Sequence, residues 1–316
     1  MFVLGEVHTG LLQHSHALPD RDVARLLSLV AGERVRQSSR PISFSMSPEI
    51  LSGLDCDMTT ASGSAVRVVG TAVCRAAVLG GHILQGSSFT WLSERWDQQR
   101  QPWAHYLAQP GVLQAIGKTE TSLLASGYLE AGPTASRLDL GAISGRTVDT
   151  VQRTDMLDRQ APFRVVRTRL RWTARLYDDE NAAASSVEFT LVGPQSRTLT
   201  LAYPGSDVRH AVQLCEAAAF HDWLLTTVIT LVERARIGGA SRPEVVDRLQ
   251  PVIDYLAHLW MPTARLPPCV AQLWRRLEQR PGFSRQWHNL ITRVRDQLTL
   301  ASLAASCGTG RDRPGL

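Results

Sequence analysis

A chain of 316 residues with 44% hydrophobic and 20% charged residues is long enough to bury a large core and too apolar to be disordered. Its net charge of +5 excludes a strongly acidic protein and permits anionic partners without requiring them. Of its 34 basic residues only Lys118 is lysine, so the positive charge is carried by arginine, which grips phosphate and carboxylate bidentately.

The opening MFVLGEVHTG lacks the basic region and long apolar stretch of a signal peptide. Cys56, Cys74, Cys215, Cys269 and Cys307 have neither zinc-ligand nor CxxC spacing, and read as reduced, mostly packed thiols. A cytoplasmic location is the expectation.

Residues 2–9 alternate loosely, as a buried first strand does. Glu6, His8, His14 and His16 fall within eleven residues and contain enough nitrogen and oxygen donors for a metal site. No other cofactor is expected. Asp20 opens a short helix with Val23, Leu26, Leu27 and Val30 on one face, and 40–48 is extended. Residues 65–78 and 82–92 form a hairpin turned by Gly80-Gly81. Trp91, Trp96 and Trp103 read as a packed cluster.

Residues 103–130 read as short helices broken at Pro110-Gly111 and Gly127, and 131–137 as a linker. PGVLQAIGKT (110–119) is one residue off the P-loop spacing and predicts no nucleotide site. A helix is expected around 141–158. From 163 to 177 the pattern alternates strictly, with Leu170, Trp172, Ala174 and Leu176 on one face and Arg167, Arg169, Arg171 and Arg175 on the other. This arginine ladder is the strongest surface feature. It would bind an acidic protein partner or nucleic-acid phosphate, unless Glu188 or Asp178-Asp179-Glu180 neutralise it from within. With strands 186–192 and 197–203 it makes a central antiparallel β-meander.

The longest helix runs from Ser206 to Gly239, capped by Ser206 or Asp207 and stopped by Gly238-Gly239. It is apolar on most sides, but His221 and Asp222 interrupt a stretch too short to span a bilayer, so no membrane insertion is expected. Adjacent residues on a helix diverge, so this is a buried polar pair whose members meet different partners. A capping box at Ser241–Glu244 opens the next helix, which ends before Pro262; helices over 268–279 and from Ser284 follow. Trp260, Trp274 and Trp287 give this part aromatic surface suited to docking. The reading is α+β. It has a β-rich region 1–130, a meander plus helical region 138–305, and a mobile tail 306–316.

Several stretches together resemble an uncharacterised actinobacterial protein family of the Streptomyces type. They are GEVHTGLLQ (5–13), RPISFSMSPE (40–49), LDCDMTTASG (54–63), HYLAQPGV (105–112), FRVVRTRLRW (163–172), FHDWLLTTV (220–228), HLWMP (258–262) and RPGFSRQW (280–287). The resemblance spans residues 1–303 and brings no known site residues. It implies a component of a multi-protein system encoded beside a variant P-loop protein and a methyltransferase-like protein. With no nucleophile elbow, HExxH or triad in the sequence, the expectation is a non-catalytic interaction or adaptor subunit. The alternatives are a metal-dependent enzyme using the N-terminal Glu/His cluster and a sequence-nonspecific nucleic-acid binder using the arginine strand.

Overall fold

The structure is a computed structural model that describes residues 1–130, 137–177, 185–237 and 241–308. The first part holds β1 (Phe2–Leu11), α1 (Asp20–Leu26), β2 (Arg36–Ser38), β3 (Phe44–Met46), β4 (Ile50–Thr59), β5 (Ala65–Leu79) and β6 (Ile83–Asp97). It continues with α2 (Trp103–Leu107), β7 (Val112–Ile116), α3 (Thr121–Glu130) and α4 (Leu140–Gln152). Then come β8 (Thr168–Tyr177), β9 (Ser186–Leu191), β10 (Ser196–Pro204), α5 (Val208–Ala235), α6 (Arg242–Pro251), α7 (Pro268–Gln279) and α8 (Phe283–Gly308). A mixed sheet followed by a helical C-terminal half makes the fold α+β.

The ten strands among the described residues join one sheet in the order β2-β3-β5-β7-β6-β1-β8-β10-β9, with β4 beside β3 on the same side of β5. The central strand β1 pairs antiparallel with β6 on one side and β8 on the other. The expected division into regions 1–130 and 138–305 therefore runs through a single sheet, and the main core joins Val3, Val7 and Val73 to Trp172, Trp223 and Trp274. The linker expected at 131–137 lies, up to residue 136, outside the described residues.

The hairpin forms as expected, with Gly80 and Gly81 at φ of 58° and 75°, which glycine adopts without steric penalty. Beyond Phe89 the two strands splay, and β7 inserts between them by pairing Leu113 with both Gly70 and Leu92. Helix was expected here, but five residues carry too little periodicity to announce a strand. The Gly111 and Gly117 of the P-loop-like stretch stand at opposite ends of β7, roughly 20 Å apart, too far to cradle one phosphate.

A second correction concerns the central strands. β10 lies between β8 and β9 and runs parallel to β8, so the three do not form an antiparallel meander. β9 alternates too weakly to fix its register, and pairing with β10 alone places it at the sheet edge. Glu188, on β9, is thereby two strands from the arginine ladder, and 178–184 lie outside the described residues.

Helices α3 and α4 cover one face of the sheet and α5 the other. α3 runs through Gly127 instead of stopping there, because that glycine sits directly on the backbone of Thr59 and Thr60. A methyl group would overlap the Thr59 carbonyl, so Gly127→Ala should lower stability by about 1–3 kcal/mol. Ser126→Ala, exposed one residue earlier, should change it by under about 0.5 kcal/mol. Urea denaturation of both variants tests this; equal midpoints would refute the close approach.

α5 is capped by Asp207, whose carboxylate accepts the Arg209 N–H at 2.8 Å. Its expected stop at Gly238-Gly239 lies outside the described residues. By length and composition this helix could cross a membrane, but 72% of its apolar window is buried inside the protein. The capping box at Ser241 and Glu244 opens α6, and Pro251 converts its end to a π-helical turn over Val252–Leu256. α7 covers the expected 268–279. α8 takes in residues 306–308 of the expected tail; 309–316 lie outside the described residues.

Candidate functional site

Side chains alternate along β1, so Glu6 and His8 point to the α4 face, the face that carries Arg167, Arg169, Arg171 and Arg175. The register sets Glu6 opposite Arg171 and His8 opposite Arg169. Glu6 is fully buried and takes Nε of both Arg169 and Arg171, the latter at 3.4 Å. Arg169 also reaches Asp139 at 3.8 Å, and Arg167 reaches Asp149 of α4 at 3.1 Å. Arg171 donates to the Tyr128 carbonyl at 3.2 Å, and Arg175 lies over the rings of Phe2 and Tyr177. Three of the four ladder arginines thus meet acids supplied by β1, by α4 and by the residue capping it.

The four expected metal ligands do not converge. His8 packs under α4 against Gly145, and burial, helped by Arg167, lowers its pKa to about 4. His14 Nδ1 accepts the Asp158 N–H at 3.2 Å in the loop after β1, and His16 meets Ser15 Oγ at 2.8 Å. Among the described residues no group of three or more His, Cys, Asp or Glu is arranged to hold a metal ion.

His221 and Asp222 are both buried and do diverge. Asp222 pairs with Arg197 Nε at 2.7 Å, while Arg197 also donates to Thr226 Oγ1 and the Gly193 carbonyl, both at 2.8 Å. Burial pushes the Asp222 carboxyl up to about 6 against the pull of Arg197. His221 Nδ1 lies 2.7 Å from the Ala217 carbonyl, which can only accept, so Nδ1 carries the proton. Burial holds the ring pKa down at about 4. The imidazole is therefore neutral at pH 7, and Nε2, itself buried, has no hydrogen-bond partner among the described residues.

The tryptophans expected to dock a partner surround this imidazole instead. Trp260 and Trp274 meet it edge-on at 4.9 and 5.2 Å, and Trp287 stacks on Trp260 at 4.4 Å. Trp91, Trp96 and Trp103 make no ring contacts with one another, and Trp96 and Trp103 are exposed.

His221 also lines a small cleft of about 60 Å³ between α5, the sheet and the 261–266 segment. Ile42, Leu79, Phe220, Met261 and Leu266 supply its apolar walls. Its polar floor is Glu216, held by Arg75 through two bonds of 2.9 and 2.8 Å and by Ser87 Oγ at 2.6 Å. Gln85 donates to the Glu216 carbonyl at 3.0 Å and to Thr9 Oγ1 at 2.9 Å. Arg265 lies over the Phe44 ring at the mouth, and among the described residues no carboxylate is within ion-pairing distance of it.

Sequence reasoning missed Arg75, Gln85, Glu216 and Arg265. A readable signal existed for two: Arg75 is a single charge in the apolar run of β5, and Glu216 a single charge beside the apolar stretch of α5. No family model, curated protein or solved structure matches this chain.

Proposed function

We propose that this protein is a non-catalytic interaction subunit that binds a small ligand in the cleft beside α5. The observation that carries the reading is the unpartnered Nε2 of His221. A buried acceptor without a donor costs about 1–3 kcal/mol, and a ligand O–H or N–H would recover it. Arg265 at the mouth adds a cation that takes a carboxylate, and the apolar walls take a short hydrocarbon body. The Glu216–Arg75 pair completes a fixed polar floor. The favoured ligand is thus a small acid with an apolar body and one hydrogen-bond donor.

The test is NMR of 15N-histidine-labelled protein titrated with short hydroxy- and amino-carboxylic acids. At least one acid should shift the His221 Nε2 resonance. Its binding should vanish in His221→Phe and weaken about tenfold in Arg265→Ala. A panel that leaves Nε2 unmoved ends this reading.

A further inference from the structure

A second cluster lies at the N-terminal end of α5 and uses none of the cleft residues. Cys269, in the first turn of α7, sets its Sγ 3.2 Å from Nδ1 of His210. Nε2 of that ring faces Asp207 Oδ2 at 3.7 Å. Asp207 is held by its capping role: Oδ1 accepts the Arg209 N–H, which turns Oδ2 toward the imidazole. Thiol, imidazole and carboxylate thus stand in line, with the nitrogen facing sulfur free to accept a proton when the other carries one toward Asp207.

Three other thiols are placed differently. Cys74 and Cys215 are buried, and Cys56 is half-buried with its thiol pushed up to about 11 by burial, whereas Cys269 is exposed. Beside the cluster, the Tyr203 phenol is 3% exposed, and its Oη faces the backbone of Ala211. Both Cys269 and Asp207 are near enough to act on it electrostatically. The cluster also adjoins the cleft. His210 is on the same face of α5 as the lining residue Ala217, ~10 Å along the axis, and Cys269 follows Leu266 of the cleft wall by three positions.

We propose that Cys269 is a covalent acyl-acceptor site for activated esters or thioesters, with His210 as its base and Asp207 as the positioning residue. The Sγ proton passes to His210 Nδ1, and sulfur forms a bond to the acyl carbon. The bond from that carbon to the leaving oxygen or sulfur breaks, and the leaving group departs with the proton from His210. The product is a thioester on Cys269 and a free alcohol or thiol, with no change of oxidation state.

The probe is p-nitrophenyl acetate, applied to the full chain. Each protein molecule should release one p-nitrophenolate in a burst, and peptide mass spectrometry should place one acetyl group on Cys269. Cys269→Ala should abolish the burst. His210→Gln should slow acetylation of Cys269 about a hundredfold with the thermal midpoint unchanged. Asp207→Asn keeps a good cap and should slow it less. Iodoacetamide labelling of Cys269, slowed in the same order, provides a second readout. Acetylation of Cys269 no faster than that of N-acetylcysteine, or equal in wild type and His210→Gln, overturns the proposal. Neither result bears on ligand binding at His221, which uses different residues.

Discussion

Replacing Arg197 by methionine lowers the free energy of unfolding by about 3–5 kcal/mol, the largest single-residue loss expected in this protein. The reason is what stays behind. Arg197 and Asp222 have side chains only 5% and 8% exposed, and their 2.7 Å contact is the closest charge neutralisation available to that carboxylate. Removing the guanidinium leaves Asp222 to stay charged without compensation or to take up a proton in the fold. It also strips the Gly193 carbonyl and Thr226 Oγ1 of a donor. The double variant Arg197→Met, Asp222→Leu should recover most of the loss, because an apolar pair of similar volume has no ionic group to desolvate. Urea unfolding of the two single variants and the double variant measures the coupling. An Arg197→Met protein within about 1 kcal/mol of wild type would mean that water, not Arg197, neutralises Asp222.

Acid weakens the fold between pH 6.5 and about 4, and His221 sets much of the slope. His221 and His8 are both held down at about 4 by burial, against 6.5 for the free side chain. In that window the unfolded chain binds protons that the folded chain refuses. Stability from these two groups is therefore complete above pH 6.5 and is lost as pH falls toward 4. Each contributes about 3 kcal/mol. Asp222 acts with the opposite sign. Its folded pKa, raised from 3.8 to about 6, makes its contribution greatest below pH 3.8 and removes it as pH rises to 6. For His8, His221 and Asp222 together the net effect is a rise of about 3 kcal/mol from pH 4 to 6.5. His221→Gln removes one of the rising terms, beside those of His8 and of His82 and His258, which burial also lowers, and should make the curve clearly shallower, whatever its effect at pH 7. Asp222→Asn should steepen it. Urea midpoints across this pH range decide the matter: an unaltered slope in His221→Gln would mean that the imidazole is accessible to protons in the folded state.

Features carried by short-range patterns could be read from the sequence. The Gly80-Gly81 turn, the strict alternation of β8, the Ser241–Glu244 capping box and the 268–279 helix all follow from spacing and local sterics. β7 could not be read, because its five residues are defined by the two strands that part to admit it. The order of β8, β10 and β9 was likewise a matter of pairing partners, which alternation alone does not choose.

The candidate sites show the same limit more sharply. The sequence presented Glu6 and His8 as metal ligands and the arginines of β8 as an external ladder; the register of β1 against β8 set Arg169 and Arg171 on the buried Glu6 and left Arg175 exposed. The tryptophans read as docking surface became the wall around His221. Arg75, Glu216, His221 and Arg265 come together from three separate segments, and Asp207, His210 and Cys269 from two.

By itself the sequence determined the α+β class, the long core helix, the buried His221 and Asp222, and the alternation that put the β8 arginines on one face. Only the tertiary structure decided which residues those arginines meet, which nitrogen of His221 is left bare, and that Cys269 stands against His210. Helix and strand periodicity repeats over a few residues and is written locally, whereas a site is a coincidence of distant segments. Sheet register and helix packing bring those segments within 3–4 Å only after the core has formed.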